Sequence, residues 1–201
     1  MLKVGLIVGS TRPNRFADIP MRWLVEGAAA RRDLQLAVLD LRDFQLPFLN
    51  EPASPMAVGG VFTEPDAQAW CKRIGEFDAF VALVAEYNHG PTAVLKNAFD
   101  SALNEWQRKP IAFVGYGGVG AARAIETLRG VVIELQMAPI RHEVNIAMEP
   151  YLGVIQKGRS LNDYDYLVQS RKLMFDHLVW WGEALSAARG SAVAGSAYRI
   201  S

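Results

Sequence analysis

Five short apolar runs alternate along the chain with longer segments whose apolar residues recur at helical spacing. The runs are Lys3–Gly9, Leu34–Asp40, Asp78–Ala85, Pro110–Gly115 and Ile140–Ile146. Their centres, such as Val4-Gly5-Leu6-Ile7-Val8 and Phe80-Val81-Ala82-Leu83-Val84, are almost continuously apolar rather than alternating. That pattern predicts strands buried on both faces, as in a parallel sheet. The fifth run is broken by Arg141, His142, Glu143 and Asn145, which predicts a sheet edge where polar side chains reach water. Between and after the runs, Ala17–Arg32, Asp66–Glu76, Thr92–Trp106, Ala121–Gln136 and Asp163–Arg189 read as helices. Pro65 falls at the first turn of the second, where a missing N–H costs least. Alternating strands and helices predict a three-layer α/β, doubly wound domain with a five-stranded parallel sheet of order 2-1-3-4-5.

One domain over residues 1–189 accounts for the pattern, and 190–201, small and turn-prone, reads as a frayed tail. The segment Leu41–Glu64 is long for a connection and holds Phe44, Leu46, Phe48 and Leu49. It either covers the sheet edge or packs on a second subunit. Composition narrows the function. Lys+Arg and Asp+Glu are both 21, so charge offers no case for nucleic acid. No apolar run approaches the roughly 20 residues of a membrane span. A single cysteine, Cys71, rules out an internal disulfide framework. With an opening that runs straight into a strand without a signal-peptide pattern, it predicts a cytoplasmic location. Cys71 lies in an amphipathic helix and reads as inert packing, and scattered His89, His142 and His177 give no metal site. Lys96 and Asp100 read as an ordinary i,i+4 ion pair. The tryptophans read mostly as core, with Trp106, Trp180 and Trp181 as further candidates for a subunit contact.

In such a sheet, ligands sit beyond the carboxyl ends of the strands, which singles out three loops. The first, Gly9-Ser10-Thr11-Arg12-Pro13-Asn14-Arg15, joins a strand to a helix. Its hydroxyls and two guanidinium groups suit a terminal phosphate, where a capped polar turn would explain only the hydroxyls. The absence of G-x-x-x-x-G-K-[ST] excludes a Walker loop. The second, Ala85-Glu86-Tyr87-Asn88-His89-Gly90-Pro91-Thr92, offers exposed backbone groups and a ring that can stack on a heteroaromatic ligand; a plain turn leading into a helix is the other reading. The third, Gly115-Tyr116-Gly117-Gly118-Val119-Gly120, formally matches G-x-G-x-x-G. It follows the fourth strand, whereas the dinucleotide fingerprint sits in the first βα unit, so its glycines read as room for a flat ring to approach the backbone.

Gly9-Ser10-Thr11-Arg12, Glu86-Tyr87-Asn88 with Leu95-Lys96-Asn97-Ala98, and Tyr116-Gly117-Gly118 together resemble the NADPH-dependent FMN reductase family, flavodoxin-like quinone and azo reductases, over about residues 1 to 180. The resemblance implies a flavodoxin-like fold and an FMN-dependent NAD(P)H oxidoreductase. Electrons from NADPH (or NADH) would pass through FMN to a small-molecule acceptor such as a quinone, azo compound or flavin. It implies that Ser10, Thr11, Arg12, Arg15 and Phe16 hold the FMN phosphate, and that Glu86, Tyr87, Asn88, Tyr116, Gly117 and Gly118 line the ring. No catalytic side chain and no metal is implied. The chain departs from the family in Ala85, where a proline is usual, and in Arg15, Phe16 and Ala17, where Ser then Asn often follow. The family also implies a homodimer or homotetramer, built here through Thr92–Trp106 and Phe44–Leu49. A flavodoxin-type electron carrier is the alternative, disfavoured by neutral charge, and a flavin-free interaction module is disfavoured by the intact first loop.

Overall fold

A computed structural model describes residues 1–191. Strands β1 (Leu2–Val8), β2 (Leu34–Asp40), β3 (Ala79–Tyr87) and β5 (Pro110–Tyr116) pair in parallel in the order β2-β1-β3-β5. Two short strands, β6 (Ala138–Pro139) and β7 (Val144–Ile146), both pair with β5 at the outer edge, and β4 (Gly90–Pro91) folds back antiparallel on β3. The expected order holds, with seven strands in place of five. The fifth expected strand sits at the edge but is broken in two. Pro139 has no N–H to donate, and Arg129 takes the Ile140 carbonyl at 3.1 Å and Glu143 at 2.6 Å, drawing the middle of the run off the ladder.

The helices are α1 (Asp18–Ala29), α2 (Pro65–Gly75), α3 (Ala93–Asp100), α4 (Ala122–Glu134), α5 (Met148–Lys157) and α6 (Asp165–Gly190). Because strand side chains point alternately to opposite faces, β3 sends Val81 and Leu83 into one core with Trp23, Leu24, Phe175 and Leu178. It sends Phe80, Ala82 and Val84 into the other, with Trp70, Ile74, Phe99 and Leu128. These are the two helix-covered faces of a doubly wound sheet. Helix α6 runs to Gly190, and the remainder of the expected tail, 192–201, lies outside the described residues.

Two expectations change. The helix expected over Thr92–Trp106 ends at Asp100 because the chain turns inward. The indole N–H groups of Trp70 and Trp106 donate to the helix-end carbonyls of Ala98 (2.8 Å) and Phe99 (3.1 Å). Trp106 is fully buried against Phe80 and Phe99, so it is core and not a subunit contact; Trp180 is 64% exposed. Helix α5 was not expected at all. The long connection after β2 divides: Leu41 is buried and Phe44 packs edge-on to Trp70 at 4.8 Å, whereas Phe48 is 75% exposed and Leu49 is also exposed. Cys71 is half-buried, and burial together with the neighbouring Glu105 pushes its thiol up to about 12, as inert packing requires. Lys96 and Asp100 form their pair at 2.7 Å.

Candidate functional site

The three loops meet above the carboxyl ends of β1, β3 and β5. The first leaves β1 at Gly9, whose N–H donates to the Leu83 carbonyl at 3.0 Å and whose carbonyl accepts from the Thr92 hydroxyl. A Cβ on Gly9 would lie 2.7 Å from the Leu83 oxygen, so only glycine lets β1 pass this close to β3. Thr92 also caps α3, accepting from the Leu95 N–H at 3.3 Å. One hydroxyl therefore joins the first loop to the helix behind the second. Ser10 is buried, with its Oγ 3.3 Å from the Tyr87 hydroxyl. Thr11, Arg12, Pro13 and Asn14 arch outward and are exposed, with Asn14 in the left-handed region at φ 51°. Among the described residues, Arg12 has no acidic or hydrogen-bonding partner.

The resemblance assigns Arg15 to the phosphate, but in the structure it does not reach the loop mouth. Its side chain is 1% exposed and turned inward onto Asp18 and Asp40. Phe16 is half-buried between Tyr116 (ring centroids 5.2 Å apart) and Tyr151 of α5 (4.5 Å). Burial pushes the Tyr116 phenol up to about 12, against a smaller opposing effect of its bond with Ser10. Tyr116 is thus a neutral donor or acceptor at any ordinary pH.

The second loop is a two-residue hairpin. Tyr87 pairs with Gly90, and both Asn88 (φ 50°) and His89 (φ 69°) are left-handed, the signature of a type I′ turn. Asparagine tolerates that conformation better than most residues, which accounts for its place here. The hairpin stands Tyr87 at the mouth, 38% exposed, with Asn88 exposed beside it. Glu86 turns away from the mouth toward the start of α4. Burial alone would raise its carboxyl, but hydrogen bonds from the Arg123 side chain (Nε at 2.7 Å) hold it below its ordinary value. It ties the second loop to the third.

The glycines of the third loop divide the labour. Gly115 and Gly120 are packing positions: a Cβ on Gly115 would lie 2.2 Å from the Gly120 carbonyl, and one on Gly120 would lie 2.6 Å from Asn145 Cβ. Gly117, at φ 141°, carries a conformational demand, which Gly120 shares at φ 64°. At Gly118 a Cβ meets only Met148 Cε at 3.8 Å, so the backbone there lies open to an approaching ring. Strand β7 anchors the loop, with Gly117 N–H donating to Ile146 O (3.2 Å) and Asn145 Nδ2 to Gly120 O (3.1 Å). Asn145, Met148 and Tyr151 are site-shaping residues that motif reading missed. The polar interruption at Asn145 was their one visible signal.

The family model for NADPH-dependent FMN reductase matches residues 2–150. An NAD(P)H-dependent FMN reductase of Nectria sp. is 33% identical over 148 residues, 70% of this chain and 74% of its own. A second, from Schizosaccharomyces pombe, is 32% identical over 139 residues, 68% of this chain and 70% of its own. Among solved structures, FerB, a flavoenzyme NAD(P)H:(acceptor) oxidoreductase from Paracoccus denitrificans, superposes with a TM-score of 0.72 at 25% identity, over 92% of this chain and 98% of its own.

Proposed function

The chain belongs to the NADPH-dependent FMN reductase family and is an oxidoreductase that uses NAD(P)H and FMN; we propose which of its residues hold the flavin and what kind of acceptor it serves. The observation that carries the proposal is the convergence of the three loops. Ser10, at the base of a loop with an uncommitted arginine, touches the hydroxyl of Tyr87, and the preceding residue, Glu86, packs against Gly117, where a Cβ would lie 3.8 Å from Glu86 Cβ. In this reading Arg12 and the Thr11 region take the phosphate, and Tyr87, Asn88, Tyr116, Gly117 and Gly118 border the ring. Glu86 and Phe16 support from behind: Glu86 links the second and third loops through Arg123, and Phe16 props Tyr116.

The open face above Gly118 and the exposed Tyr87 fit a flat acceptor of the quinone or azo class. FMN when bound supplies the redox chemistry, and the protein's part is to bind, orient and shield. A net charge of zero fits an enzyme serving small molecules better than a carrier docking a basic partner. No helix among the described residues is long and apolar enough to cross a membrane. A cytoplasmic location belongs to the same reading, supported by a lone and inert thiol.

Assembly as a homodimer or homotetramer is also part of it. An apolar cavity of about 300 Å³ lies between the post-β2 connection and α3, lined by Leu41, Phe44, Leu46, Phe48 and Val94. Phe48 leaves its outer wall in water, Leu49 is exposed next to it in the chain, and a second copy would cover both beside the flavin site. The test of function is direct. The purified protein is expected to bind FMN and to oxidise NADPH faster on addition of a quinone, and to run as a dimer or larger in light scattering. Protein that binds no flavin would overturn the site, and a strictly monomeric, fully active protein would overturn the assembly.

A further inference from the structure

Arg15 sits in the loop that should greet an anion, yet every donor it uses faces the protein. Its Nε donates to Asp18 Oδ1 at 2.8 Å, Nη1 to Asp40 Oδ1 at 2.8 Å, Nη2 to Asp40 Oδ2, and Nη1 also to the carbonyl of Ser10. Asp40 ends β2 and is itself nearly buried; it further accepts from Arg42 Nη2 at 2.8 Å and from the Arg42 N–H at 3.0 Å. Two arginines and two aspartates form a neutral set beneath the loop. Burial opposes the charge on Arg15 and on Asp40, but their mutual bonds outweigh it, raising the guanidinium and holding the carboxyl well below the usual carboxylate range. Arg15 therefore brings no net attraction to an anion above it. Its effect is geometric. It draws the Ser10 carbonyl inward, and in a trans peptide the next N–H, that of Thr11, points the opposite way, toward the mouth.

We infer that Arg15 and Asp40 are a positioning pair, which orients the Ser10–Thr11 peptide so that the Thr11 N–H and the Arg12 side chain converge on a phosphomonoester, and that neither touches the phosphate. The inference deepens the flavin reading above and rests on it. A hydroxyl can bond the phosphate directly, whereas an arginine fork reaching Asp40 secures the loop from below.

The two roles open to Arg15 predict opposite signs for one substitution. If Arg15 bonded the phosphate, Asp40→Asn would remove a competing anion and tighten FMN. If Asp40 and Arg15 position the loop, Asp40→Asn loosens FMN. Dissociation constants of FMN and of riboflavin, measured by flavin fluorescence quenching on the apoprotein, read the difference, because riboflavin lacks the phosphate. Asp40→Asn is expected to weaken FMN about tenfold while riboflavin changes less than about twofold. Arg15→Ala is expected to match it. Arg15→Lys keeps the charge but cannot span Ser10, Asp18 and Asp40 together, and should restore little. Should Asp40→Asn fail to fold by circular dichroism, Asp18→Asn, at a more exposed position, is expected to weaken FMN about threefold with the same selectivity. FMN binding that is unchanged or tighter in the Asp variants, or FMN and riboflavin lost in parallel, would overturn the positioning pair. Wild-type protein that binds neither flavin would overturn the underlying site instead.

Discussion

The two rims of the sheet carry similar residues and use them differently. At the lower rim, where the strands begin, Lys109 is buried with its Nζ 3.4 Å from the Ile74 carbonyl and 5.6 Å from the Phe80 ring. Beside it Arg189 donates to the Arg108 carbonyl and lies 3.5 Å from Asp78, whose carboxylate takes the Lys3 N–H at 3.1 Å. Each of these charged groups is turned onto another part of the chain. At the upper rim, where the strands end, the charges nearest the sheet are likewise paired, Arg15 with Asp40 and Glu86 with Arg123. A second tier stands beyond them: Arg12, Tyr87, Asn88 and the backbone of Gly118, all exposed. The difference teaches that a perturbed ionisable group does not by itself locate this site. Asp40 and Tyr116 are displaced at the loops, but Lys109 and Cys71 are displaced as clearly on the side away from them. In the proposed site, paired charges lie beneath the exposed Arg12.

Removing the upper tier should give the largest effect. Arg12→Ala is expected to weaken FMN by about 30- to 100-fold, the loss of a partly desolvated guanidinium–phosphate bond of roughly 2–3 kcal/mol, with the melting temperature of the apoprotein unchanged. Titration of apoprotein with FMN checks it. Equal affinity in a folded variant would remove the first loop from the site and erase the distinction between rims.

A smaller effect is expected where the backbone itself is the ligand surface. At Gly118 the existing structure has room for a side chain, so Gly118→Val should leave apoprotein stability nearly intact yet weaken FMN about tenfold by filling the space the ring needs. Gly117→Val should instead lose stability as well, because its φ of 141° is strained for any L side chain. Comparing thermal melts with flavin titrations for the pair separates the two roles. Matching behaviour in both measurements would mean that the glycines form a plain turn.

Much of this organisation is visible in the chain before folding, and the part that is not has a common cause. The order of the strands and the three loops follow from local patterns: near-continuous apolar runs, then Gly9 where β1 passes close to β3, and Asn88 and Gly117 at positions that need their conformational freedom. The edge position of the last strand follows from Arg141, His142, Glu143 and Asn145. The direction of Arg15 does not, since it is decided by Asp40, 25 residues away on another strand. Nor does the break within the last strand, which Arg129 makes from α4. Helix α5 begins in Met-Glu-Pro and carries only two buried residues, Pro150 and Gly153, so it shows no strong apolar stripe, and with it Tyr151 and Met148 escape notice. Loop chemistry is written locally. The support beneath it comes from long-range pairing.

The smallest effect should come from the lower rim, and it should appear in stability alone. Burial, with Arg189 adding to it and Asp78 and Glu105 opposing, brings the Lys109 ammonium down to about 8 from its ordinary 10.5. Between those two pH values the unfolded chain holds the proton and the folded chain has released it, so this group makes the fold more stable as pH rises through that window. Below about pH 8 both states are charged and the folded state bears the full cost of burying the ammonium. Lys109→Met keeps the length and apolar stem while deleting the charge. It should raise stability near neutral pH by about 1 kcal/mol, or roughly 2–4 °C in melting temperature, and remove this contribution to the rise between pH 8 and 10.5. The gain is modest because the variant also forfeits the contact with Ile74 and the attraction to Phe80. FMN affinity and NADPH oxidation should stay within twofold of wild type. A melt profile over pH in parallel with a flavin titration measures both halves, and a Lys109→Met protein that folds well but loses flavin would show that the rims are coupled through the sheet.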